Sequence, residues 1–228
     1  MHKTALEVRN LHTWNNHQPI IQDLSLYAKQ GETIALVSSC KSTQSSLLES
    51  LLGINQHRKG SIRIHQTETI HLSSEQMTWL GVAFCSKATG LDFDLSCEEN
   101  LLLPLSGLSL GGGLSLTEIY DLFPLLTLYK DAPCSRLSPG EQHLLALARV
   151  LRTGADIIIF HDLHIDICPA ILPYAIKVLT QLKNRGYTLI LNESDKTFAA
   201  NLADKIYCLQ NNDVRLSVIH QRAHPISG

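Results

Sequence analysis

Three stretches of this chain carry side chains able to do chemistry. The run Ser38-Ser39-Cys40-Lys41-Ser42-Thr43-Gln44 is rich in hydroxyls, with one ammonium and one thiol. It lies between a strand-like run, Thr33–Val37, and a run with leucines at helical spacing, Ser45–Leu52. A polar loop that leads from a buried strand into a helix suits an anion, because free amides and the helix dipole converge there. The second stretch, His161-Asp162-Leu163-His164-Ile165-Asp166, follows the apolar run Ile157–Phe160. Imidazoles and carboxylates can ligate a metal, but alternate residues of an extended segment point opposite ways, so the spacing predicts no metal site. The third, Leu137-Ser138-Pro139-Gly140-Glu141-Gln142, sets a hydroxyl just before a strongly periodic helical run, which is where an N-cap stands. Cys40, Cys85 and Ser194 are nucleophile types, yet nothing in the sequence puts a base beside them. Arg58-Lys59 reads as a solvated turn.

The elements that hold these stretches follow from periodicity. Strands are predicted over Ala5–Val8, Leu24–Tyr27, Thr33–Val37, Ser61–Ile64, Leu80–Phe84, Ile157–Phe160, Thr188–Leu191 and Ile206–Leu209. Helices are predicted over Ser45–Leu52, Cys97–Leu103, Thr117–Leu128, Ser138–Leu151, Pro169–Asn184 and Thr197–Ala203. The segment Ser106–Leu116, with Gly111-Gly112-Gly113, reads as a flexible loop. Fully apolar strands alternating with helices after residue 130 argue a doubly wound α/β sheet, with a helical insertion around 85–135. No pattern is visible after Leu216.

Composition narrows the classes. With 228 residues, 44% hydrophobic and 18% charged, the chain is neither disordered nor short of a core. Nineteen basic against 21 acidic residues leave a net charge of −2 and no electrostatic case for nucleic acid. No apolar run reaches the length of a membrane span or has the form of a signal peptide. Six scattered cysteines suit reduced thiols, so a soluble intracellular protein is expected.

Leu137–Gln142 running into Leu147-Ala148-Arg149 and then Ala155–Phe160 resembles the signature helix and following strand of ABC-transporter ATPases. Gly31–Val37, Gly60–Ile64, Glu98-Glu99-Asn100-Leu101 and Leu202-Ala203-Asp204-Lys205-Ile206 are similar to other segments of that family, in the same order, over roughly residues 5–215. Glu99–Leu105 is also similar to Mla-type lipid-transport ATPases. The resemblance implies a P-loop NTPase-like ABC ATPase core of α/β class over residues 1–228. It implies an N-terminal antiparallel β part, a helical subdomain at about 86–150 and a tail at 217–228.

The resemblance also says where the chemistry should be. In the family a glycine-rich loop cradles phosphate, a Lys supplies charge and a Ser/Thr holds magnesium. Aligned without gaps, Ser38, Lys41 and Thr43 stand at the glycines, Gln44 at the Lys, and Ser45 followed by Ser46 at the magnesium hydroxyl. A second frame reads Cys40-Lys41-Ser42-Thr43 as the motif itself, with a loop shorter than the family's. His161 and Asp162 stand where the family has a magnesium-holding Asp and a water-polarising Glu. Cys85 (alternatively Lys87) replaces a Gln, and Ser194 replaces the switch His. Trp14 falls one residue from the aromatic that stacks on adenine. Leu137, Ser138, Gly140 and Glu141 keep the signature, with Pro139 in place of a glycine, so they either complete an ATP site on a partner subunit or only cap a helix.

Because these positions act as a unit, the sequence predicts a pseudo-ATPase with no catalytic residues of its own. It requires no cofactor, and ATP–Mg binds weakly or not at all. Its expected partners are a membrane permease, met near the Cys85 loop, and a second ABC ATPase subunit, as a homo- or heterodimer. Its expected place is the cytoplasmic face of the inner membrane. The alternatives are an active ATPase subunit using Lys41 and a scaffold outside transport.

Overall fold

The computed structural model describes residues 3–86, 90–103, 111–210 and 213–218. Strands β1 (Thr4–Asn15) and β2 (Gln18–Lys29) form a hairpin, joined to β4 (Arg58–Ile64) and β5 (Thr67–Glu68) in an antiparallel sheet of order β2-β1-β4-β5. The hairpin turn is Asn16-His17, both at positive φ (47° and 67°), the backbone that matches strand twist in a two-residue loop. Both strands therefore run farther than their apolar cores predict.

A second sheet holds β3 (Thr33–Val37), β6 (Val82–Cys85), β7 (Ile157–His161), β8 (Thr188–Glu193), β9 (Lys205–Gln210) and β10 (Asp213–Val218). Its order is β10-β9-β3-β8-β7-β6, parallel except for the β9–β10 pair. The strand β10 was not anticipated from sequence, and residues 219–228 of the expected tail lie outside the described residues. Packing explains the apolar runs. Ile34 and Leu36 of β3, with Ile157 and Ile159 of β7, face a core shared with the antiparallel sheet. Ala35 and Val37, with Ile158 and Phe160, face a second core built largely from helices. Strands buried on both faces need apolar residues at every position.

The helices are α1 (Lys41–Leu51), α2 (Ser74–Trp79), α3 (Cys97–Leu102), α4 (Leu116–Leu122), α5 (Pro124–Thr127), α6 (Pro139–Leu151), α7 (Leu163–Asp166), α8 (Leu172–Asn184) and α9 (Lys196–Ala200). Four of them, α3 to α6, lie between β6 and β7 in sequence. Capping boxes start α3, α4 and α6, at Ser96–Glu99, Ser115–Glu118 and Ser138–Glu141. Part of the expected flexible loop, residues 106–110, and Lys87 fall outside the described residues. The described part of that loop is docked: Leu114 N–H donates to Leu151 O at 3.0 Å. A Cβ on Gly113 would come within 2.0 Å of Arg152 O, so only glycine allows this approach.

Arg58 corrects the solvated turn expected for it. Its guanidinium is buried and donates to the carbonyls of Ile70 (2.9 Å), Leu72 (2.8 Å), Thr69 (3.4 Å) and Ser50, tying β4 to the chain after β5 and to α1. Among the described residues no helix is long and apolar enough to cross a membrane.

Candidate functional site

Parallel strands end at one edge of the sheet, where Val37 pairs with Glu193, His161 with Asn192 and Cys85 with Phe160. Such an edge is where open α/β sheets place their sites. The chain leaves β3 through Ser38-Ser39-Cys40 and enters α1 at Lys41, four residues earlier than the leucine spacing predicts. The reason is composition: no residue from 38 to 46 takes a positive φ, and without glycine the segment winds into helix instead of a phosphate nest. Thr43 thus avoids the strain that a nest would impose.

Two consequences follow for the side chains. Lys41, Ser42 and Ser45 are exposed and line a cavity of about 520 Å³ together with Ser46 and Trp14. Gln44 is buried, and its Nε2 donates to Asp162 Oδ1 at 3.4 Å. Ser46 also turns inward, its Oγ 2.6 Å from Thr13 Oγ1. Ser38 is buried, and its Oγ accepts from Cys40 N–H at 3.1 Å. The structure therefore brings Trp14, Lys41, Ser45 and Ser46 to one cavity and takes Gln44 and Ser38 away from its mouth. No side chain caps α1 and no acid sits in its first turn, so its positive end is open to an anion.

Trp14 stacks beside His12, ring centroids 6.1 Å apart, with Lys59 Nζ 5.7 Å from its ring. Cys40 is exposed, and hydrogen bonds from Ser42 and Thr43 lower its thiol to about 7. Cys85 is wholly buried, and desolvation pushes its thiol far up, which makes it inert.

At the end of β7 the segment is not extended. Asp162 takes φ +45° and α7 follows at once, one turn long. Asp162 Oδ1 accepts from Ser194 N–H at 3.1 Å and Ser194 Oγ at 3.2 Å, besides Gln44. His161 Nδ1 lies 3.2 Å from Asn192 Nδ2. Glu193, which the sequence reading did not single out, is fully buried. Its Oε1 accepts from Leu163 N–H at 2.8 Å, and its Oε2 lies 2.7 Å from His164 Nδ1. Burial raises its carboxyl to about 7. The signal available in sequence was its place at the end of an apolar strand; its partner is set only by folding.

At the start of α6, Ser138 is the N-cap and Glu141 the third helical residue. Ser138 N–H and Oγ each donate to Glu141 Oε2 at 2.7 Å. Pro139 opens the helix, and Gly140 follows it, buried. Gln142 Nε2 donates to Leu137 O at 3.1 Å. Farther along α6, Arg149 donates to the Gly90 carbonyl, joining the signature helix to the chain beyond β6.

A family model described as "ABC transporter" matches residues 21–162, and the chain belongs to that family. It is 27% identical over 202 residues to the high-affinity branched-chain amino acid transport ATP-binding protein BraG of Pseudomonas aeruginosa, covering 85% of this chain and 84% of that one. It is 25% identical over 218 residues to the energy-coupling factor transporter ATP-binding protein EcfA1 of Fusobacterium nucleatum subsp. nucleatum, covering 92% and 80%. Against the macrolide export ATP-binding/permease protein MacB of Aggregatibacter actinomycetemcomitans, 25% identical, 92% of this chain matches 34% of that protein. The fold superposes on the ADP conformation of an ABC-transporter ATP-binding cassette with a TM-score of 0.82 at 17% identity, covering 95% and 91%. It also superposes on a dimeric post-hydrolysis cassette bound to ADP and Pi, with a TM-score of 0.75 at 20% identity, covering 93% and 98%.

These relatives correct one expectation. A chain that requires no cofactor, and takes ATP–Mg weakly or not at all, does not agree with a family whose relatives are ATP-binding proteins. The cavity agrees with the relatives: an indole, an ammonium and an uncapped helix end suit a base and a phosphate chain. Ser45, which lines the same cavity, supplies an oxygen of the kind that magnesium takes.

Proposed function

We propose that this chain is an ATP-binding subunit of an ABC transport system that holds nucleotide but hydrolyses it poorly. The observation that carries the reading is the state of Asp162. Its Oδ1 is engaged by Ser194 and Gln44, which leaves it poorly placed to polarise an attacking water. Lys41 and the start of α1 attract the phosphates, Trp14 stacks on the base, and Ser45 holds magnesium, whose charge offsets that of the phosphates. His161 stands where a magnesium-holding Asp is expected and offers nitrogen, which that ion disfavours.

Ser138 and Gly140 of the signature complete an ATP site on a second ABC subunit. A membrane permease docks near Cys85 and the helices after β6, which puts the chain on the cytoplasmic face of the membrane. Its partner subunit is the same chain or an intact ATPase, and in the second case the intact ATPase supplies the hydrolysis.

The test is to measure ATP binding and turnover on the purified chain. Saturable Mg–ATP binding with turnover far below transporter rates supports the reading. Transporter-like hydrolysis that is lost on Asp162→Ala overturns it. A second reading, an active ATPase that uses Lys41, draws on the start of α1 at that residue. Turnover abolished by Lys41→Ala but not by Gln44→Ala would favour it.

A further inference from the structure

We propose that Asp162, His164 and Glu193 form a site for one divalent transition metal of the zinc class, distinct from any magnesium that accompanies a nucleotide. One ligand atom from each residue falls within 4.8 Å of the others. His164 Nδ1 is 2.7 Å from Glu193 Oε2 and 3.9 Å from Asp162 Oδ1. Donors at about 2.0–2.2 Å from a tetrahedral ion stand roughly 3.3 Å apart, so small side-chain adjustments would close these three atoms around one ion.

The donor set decides which ion. One imidazole and two carboxylates, with a position left for solvent, is a zinc-type set. Magnesium and calcium take oxygen and would leave the imidazole unused. Charge points the same way. Glu193 is completely buried, and His164 Nδ1 and Leu163 N–H are the groups that meet its oxygens among the described residues. A carboxylate so enclosed needs a positive counterpart, and a dication would serve both Glu193 and Asp162.

The surroundings hold each ligand in place, as the outer shell of a metal site does. Leu163 N–H fixes Glu193, while Ser194 N–H fixes Asp162. With metal on Nδ1, the ring's Nε2–H faces Ser194 Oγ at 3.4 Å, and that hydroxyl donates to Asp162 Oδ1. The His164 and Asp162 side chains are 22% and 18% exposed, so an ion can enter from solvent. His161 is outside the set: its Nδ1 faces Asn192, and its Nε2 lies 3.9 Å from the other Asp162 oxygen.

The experiment titrates Zn²⁺ and Co²⁺ into the full chain carrying Cys40→Ser and Cys168→Ser, because exposed thiols also take zinc. One Zn²⁺ per chain is expected, with a cobalt spectrum free of thiolate charge-transfer bands and no displacement by excess Mg²⁺. His164→Ala and Glu193→Gln should abolish stoichiometric uptake, and Ser194→Ala should weaken it about tenfold. Folding is followed by circular dichroism; should Glu193→Gln not fold, the partly exposed His164→Ala decides. Absence of uptake by the folded chain, uptake unchanged in His164→Ala, or displacement by Mg²⁺ would each overturn the proposal.

Discussion

The side-chain amide of Gln44 donates to Oδ1 of Asp162 across 3.4 Å, joining the first turns of α1 to the end of β7. Where a lysine would reach outward to phosphate, this amide turns inward and is sealed from solvent. Among the residues lining the cavity the ammonium is that of Lys41, three residues earlier in α1.

Exchanging these two residues for alanine therefore has opposite effects. Lys41→Ala should weaken Mg–ATP binding about tenfold, since a hydrogen bond to a charged group contributes about 1.5–3 kcal/mol. Gln44→Ala should leave that affinity near its starting value and lower the unfolding midpoint instead. Calorimetric titration beside a denaturant melt separates the two; equal losses of affinity would contradict the geometry.

Trp14 faces the same cavity. Trp14→Ala should raise the dissociation constant for ATP about tenfold, because stacking on a base contributes about 1–3 kcal/mol. In a Trp79→Phe background, ATP should quench the remaining indole emission. No change in emission at saturating nucleotide would place the base elsewhere.

Cys40 gives a pH-dependent readout. Its thiol is lowered to about 7, first by the Ser42 side chain, and the thiolate is the reactive form. Alkylation of Cys40 should rise as pH climbs through 7 and level off above it, while buried Cys85 stays unmodified. Ser42→Ala should move the midpoint upward, and Mg–ATP should slow the labelling. Mass spectrometry after timed labelling checks each point.

Arg58 is the structural test. Arg58→Ala would take the Arg58 donor from the carbonyls of Ile70 and Leu72, while those of Ser50 and Thr69 keep the backbone N–H groups of Gly53 and Leu72. A loss of about 3 kcal/mol is expected, since each buried unsatisfied group costs about 1–3 kcal/mol and some will find water. A change under about 0.5 kcal/mol, the size common at free surface sites, would mean that the side chain is solvated after all.

Much of the architecture was written locally. Ile34–Val37 is apolar at every position because β3 is covered on both faces, and the leucines of α6 repeat at helical spacing because one core receives them. Ser138 ahead of a strongly periodic run specified an N-cap, and the structure adds Glu141 to make it a capping box. Periodicity and caps depend on neighbours in sequence, so one chain suffices to read them. The early start of α1 was harder, since it hangs on what a glycine-free loop does once its strand is fixed. The burial of Arg58 and the meeting of His164 with Glu193 could not be read at all. They depend on which strands become neighbours and in what register, here β7 beside β8 with His161 opposite Asn192. Residues so far apart in sequence acquire a common environment only when the sheet closes around them, and only the fold decides that environment.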